Sequence, residues 1–163
     1  MLFKNFKNII FSFTIILLIV PASVCKANSI NNNDVTSQQL KAQIMLFKEA
    51  LDQFGATSPN QVVELWAKGF KERNGVLQYS VYCDKLKENF IKNRGEAPTS
   101  YWIIGGSSPW LQKYEIINNK KLSNNSYEIS VKLTWVAVQY NKSEKKTLII
   151  IKEKNKWCIE NIK

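Results

Sequence analysis

Residues 126–140, SYEISVKLTWVAVQY, alternate with a period of two. Tyr127, Ile129, Val131, Leu133, Trp135 and Ala137 fall on one face, and Glu128, Ser130, Lys132 and Thr134 on the other. Val136 and Val138 then make the second face apolar as well. That pattern predicts a long strand, half-buried where it starts and covered on both sides where it ends.

The chain on either side of this stretch also reads as strand. Asn124-Asn125 marks a hairpin turn, and 112–121 supplies the strand before it, with Tyr114 and Ile116 on one side. After a turn at 141–144, the run 145–154 carries Leu148-Ile149-Ile150-Ile151, and Trp157, Ile159 and Ile162 follow on a last strand. Further upstream the period changes to that of helices. Leu40, Ile44, Phe47, Leu51 and Phe54 step by fours and threes over 37–54 and form one apolar stripe, which Gly55 ends. Core packing is the expected use of that stripe, and a partner-binding face is the alternative. Ser58-Pro59-Asn60-Gln61 reads as an N-cap, a first-turn proline and a capping box. Val62, Val63, Trp66 and Phe70 form the buried side of the helix that follows, which Arg73-Asn74-Gly75 closes. A short buried helix or turn is expected at 76–82 and a short helix at 84–91. Gly105-Gly106-Ser107-Ser108-Pro109 reads as a turn folding Trp102 and Trp110 onto one core. Helices followed by an antiparallel meander predict an α+β domain, with N-terminal helices packed on a sheet of four or more strands.

A length of 163 residues suits one such domain. It is expected to span 37–163, after a polar lead-in at 28–36. Residues 1–27 read as a signal peptide, with Lys4 and Lys7 before the apolar run IIFSFTIILLIV at 9–20. That run is shorter than the ~20 residues a helix needs to cross a bilayer. Cleavage after Ala27 follows from Cys25-Lys26-Ala27. Lipidation at Cys25 is the alternative, which Val24 directly before it disfavours. A retained membrane anchor is the third reading, and all three place the domain outside the cytoplasm. Loss of Lys4, Lys7 and Lys26 lowers the formal net charge from +10 to +7. The chain has no histidine, which excludes Ser-His-Asp and Cys-His catalysis and His-ligated zinc. No metal or cofactor is expected.

Three features together resemble the nuclear transport factor two-like superfamily: Ser58-Pro59 with Val62, Trp66 and Phe70; Arg73-Asn74-Gly75 followed by Leu77-Gln78-Tyr79; and the ending Trp157-Cys158-Ile159-Glu160-Asn161-Ile162. The resemblance covers 37–163. It implies a helical hairpin on a strongly curved antiparallel sheet that encloses a cone-shaped pocket. It carries no enzymatic activity over, because the catalytic residues of the enzymes in the superfamily have no counterpart motif here.

Four sets of residues carry the functional expectations. Trp66, Phe70, Tyr79, Tyr82, Trp102, Trp110, Trp135 and Trp157 either line a pocket for an apolar or glycan ligand or fill a solid core. Cys83 and Cys158 form one disulfide, as suits an exported chain, or remain two buried thiols. Asp84 and Glu160, beside those cysteines in sequence, would be the carboxylates of a small isomerase- or hydratase-like enzyme; a helix cap and a solvated strand face are the plainer uses. Lys120, Lys121, Lys145, Lys146, Lys152, Lys154 and Lys156 either form a basic rim for an anionic envelope surface or guard sheet edges. No nucleic-acid motif accompanies them. The reading that follows is a secreted or envelope-associated, non-catalytic binding or assembly domain, with a homodimer or an envelope protein as partner.

Overall fold

The computed structural model describes residues 32–138 and 141–163. The expected signal peptide and Cys25 lie outside them. In order come α1 (Asn32–Gln53), α2 (Pro59–Glu72), α3 (Gly75–Ser80), α4 (Asp84–Arg94), a 3-10 turn (Ala97–Thr99), and strands β1 (Trp110–Ser123), β2 (Ser126–Val136), β3 (Asn141–Glu153) and β4 (Lys156–Ile162). The strands form one open antiparallel sheet in the order β1-β2-β3-β4. The fold is α+β, helices first and meander second.

Alternation on β2 sets the core. Ile129, Val131 and Leu133 are fully buried, and on β3 Leu148, opposite Ile129, and Ile150, opposite Tyr127, are buried with them. Val62, Val63, Trp66 and Ala67 of α2 pack on this layer together with Leu111, Val81 and Ile159. Burying each large aliphatic side chain there is worth about 1.5–3 kcal/mol. α2 begins where its sequence dictates. Ser58 Oγ accepts from the Gln61 amide at 3.2 Å, and Pro59 takes the first turn. Gln61 does reach back, but to the amide and hydroxyl of Thr57 rather than to Ser58.

β4 gathers the helical half. Its Trp157 amide donates to the Ala56 carbonyl, between α1 and α2. Its Ile159 pairs with the α3–α4 junction, donating to Val81 and accepting from Cys83. The Cys83–Cys158 disulfide fastens the same junction covalently. The bond closes a loop of 75 residues, which corresponds to about 4 kcal/mol of lost denatured-state entropy.

Several expectations are corrected. α1 starts at Asn32, inside the stretch read as a polar lead-in. β2 ends at Val136, and Val138 is 92% exposed rather than covered. Residues 141–144 are strand, paired with Val136 through Leu133, so they do not turn. Trp110 is exposed at the start of β1 and does not share a core with Trp102. The largest change concerns α1. No residue from 36 to 53 is buried, and Leu40, Phe47 and Phe54 are 56%, 70% and 74% exposed. Its stripe is not core.

Candidate functional site

The site is built on a second, smaller aromatic cluster of Tyr79, Phe90, Trp102 and Ile104, set apart from the sheet core. Two glycines permit it. A Cβ on Gly69 would meet Gln78 Cγ at 2.6 Å, so α3 rests directly on α2. A Cβ on Gly75 would meet the Trp102 carbonyl at 2.5 Å. With no Cβ there, the Gly75 amide donates to that carbonyl at 2.9 Å, and the Ile104 amide donates to Arg73 at 3.1 Å. Trp102 adopts φ +48°, a left-handed conformation uncommon for a bulky residue. Its ring is held by an indole hydrogen bond to the Gly95 carbonyl at 2.9 Å and lies against Tyr79 and Phe90, with centroids at 4.7 and 5.1 Å. The structure around Trp102 thus over-determines a strained backbone, an arrangement that clusters at ligand sites.

Above this floor lies a groove of about 510 Å³. Leu40, Ile44, Phe47 and Leu51 of α1 form one wall, and Val76 and residues 97–102 form the other. The stripe of α1 therefore faces an open space, which leaves it exposed. The volume lies within the range of small-molecule sites.

At the C-terminal end of α1 an ionic cluster joins four elements. Lys87 of α4 lies 2.6 Å from Asp52 and Lys48 of α1 lies 3.5 Å from it. The Tyr79 hydroxyl of α3 donates to the same carboxylate at 3.2 Å, and Lys156 of β4 donates to the Asp52 carbonyl. Both lysines also sit over the Tyr79 ring, at 4.9 Å for Lys87 and 5.6 Å for Lys48. Burial alone would raise the Asp52 pKa. The hydrogen bond and charge of Lys87, followed by the charge of Lys48 and the Tyr79 hydroxyl, reverse this and hold it below the ordinary carboxylate range. Burial pushes Tyr79 up.

The aromatic residues singled out in the sequence do not converge on one cavity among the described residues. Trp66, Phe70 and Trp135 stack edge to face in the sheet core, at 5.1 and 5.5 Å. Trp157 packs on Tyr127 at 5.4 Å. Tyr82 bridges the two clusters, and Trp110 is exposed. Tyr79 lies in the cluster beneath the groove, while Trp102 itself lines the groove. Asp84 is exposed in the first turn of α4 and pairs with Lys154 at 3.3 Å. Glu160 is also exposed. Cys83, Cys158 and Glu153 fall within 4.8 Å of one another, but the disulfide occupies both sulfurs. Lys48, Asp52 and Lys87 were missed by the sequence reading. Only the four-residue spacing of Lys48 and Asp52 on one helix hinted at them.

Fold and site together describe an α+β domain with a filled sheet core and an apolar groove on its helical side. No family model matches the chain, and no curated protein matches it. Among solved structures, it is similar to an NTF-2 like protein of unknown function from Shewanella oneidensis MR-1. Identity is 15% and the TM-score is 0.44, over 63% of this chain and 91% of that one. No helix of the described residues is long and apolar enough to cross a membrane.

Proposed function

We propose that this is a non-catalytic, extracytoplasmic binding domain that works through the groove beneath α1. The observation that carries the reading is the stripe of α1, which among the described residues faces an apolar space instead of the core. A soluble domain seldom leaves such a surface open without a use for it. The strained Trp102 on the opposite wall supports the same location. The electrostatics argue for binding over chemistry. A pocket base for isomerisation or hydration needs a carboxylate raised towards neutrality, whereas Asp52 is held low and Asp84 lies at the surface. The disulfide suits an oxidising compartment, in keeping with the signal peptide read at 1–27.

The test is titration of the full chain with a neutral apolar dye. Saturable binding that Ile44→Asp abolishes, with the helical circular dichroism unchanged, is expected. A dye signal insensitive to Ile44→Asp would overturn the reading. Sedimentation at rising concentration checks the competing use of this face, closure by a second copy.

A further inference from the structure

The groove has a chemical polarity along its length. From Leu40 to Leu51 its α1 wall runs about 16 Å, at 1.5 Å per residue. Along that length the wall is formed by Leu40, Ile44, Phe47 and Leu51, and its one charged lining residue is Lys48. Lys48 sits where the groove meets the ionic cluster. There Lys48 and Lys87 share the one carboxylate of Asp52, two cations on one anion, while Lys156 holds the Asp52 backbone carbonyl. Lys87 takes that carboxylate at 2.6 Å and leaves Lys48 the longer contact at 3.5 Å. Lys48 is therefore the cation with the weaker hold on its partner and the one that faces the groove. A glycan would bring many hydroxyls into a lining with few groups to bond them, and burying those hydroxyls unpaired is costly. A long straight alkyl chain matches the length and the walls, and an acid at its end matches Lys48.

We infer that the groove binds a free long-chain carboxylate, with its alkyl chain between α1 and Trp102 and its carboxylate on Lys48 Nζ. This rests on the groove being the working surface, as proposed above, and adds the class of ligand. The charge-assisted hydrogen bond at Lys48 supplies the preference for the acid over a neutral chain of equal length.

Calorimetry on the full chain with laurate and with dodecanol tests it. One saturable site per chain is expected, with laurate binding about tenfold more tightly than dodecanol, a gap worth one charged contact. Lys48→Gln should bring laurate to the dodecanol level, and Ile44→Asp should abolish both. Equal affinities that Lys48→Gln does not change would overturn the inference while leaving the groove itself in place. So would a groove that takes the neutral dye but neither chain. Adsorption to anionic vesicles without saturable binding of monomeric laurate would also overturn it, since the ligand would then be a membrane surface. If the dye, laurate and dodecanol all fail to bind, both readings fall together.

Discussion

Gly75 shows how one missing side chain shapes the site. Its amide reaches the Trp102 carbonyl because nothing stands between them. Gly75→Ala would push the Trp102 carbonyl and the Phe90 ring away from α3, and overpacking of this kind costs about 2 kcal/mol. Urea denaturation would read that loss, and the tryptophan emission of the folded state should change with it. Asp52 makes a different prediction. Its partners are Lys48 on its own helix, Tyr79, Lys87 and, through the backbone, Lys156. Its folded pKa lies below the ordinary 3.8, so its stabilising effect is complete above that value. The effect is lost as pH falls through the lower, folded pKa. Amide protection factors in α1, taken relative to the intrinsic rate at each pH, should therefore fall on acidification through this window, and Asp52→Asn should flatten that acid dependence.

At the level of elements, α1 and α2 carry similar sequence patterns and meet different fates. Both present an apolar stripe at helical spacing. For α2 the stripe, the Ser58 cap and Pro59 all agree, and Val62, Val63 and Trp66 are buried as the sequence predicts. For α1 the stripe is equally regular, but periodicity shows only that a face is apolar, not what covers it. The strands were legible for the same local reason, down to Ile129, Val131 and Leu133. The end of β2 was not, because Val136 and Val138 read as one run while the chain leaves the sheet between them. The ionic cluster was not legible, because it draws on α1, α3, α4 and β4, which only the tertiary fold brings together. The contrast between the helices can be measured. Phe47→Ala should cost under about 1 kcal/mol, as a surface change does. Trp66→Ala should cost about 3–5 kcal/mol. Comparable losses at both positions would show that α1 is core in solution.

For the whole molecule, stability is distributed unevenly. The sheet and α2 form one packed body, while α1 rests on the ionic cluster and the rim of the groove. Slow amide exchange is expected in β2 and β3 and fast exchange in the first half of α1. Replacing Cys83 and Cys158 with serine should remove about 4 kcal/mol of loop-closure stabilisation, lowering the melting temperature by roughly 10 °C. That loss should be global, because the bond holds β4 to the α3–α4 junction, whereas Asp52→Asn should loosen only the contacts that α1 makes with α3 and α4. The meeting of the helix junctions on β4 also bears on the timing of synthesis. Until β4 has been made, neither Ala56 nor Tyr82 has its backbone partner and Cys83 lacks Cys158. In a chain wired in this way the helix junctions lock together only after β4 has emerged from the ribosome.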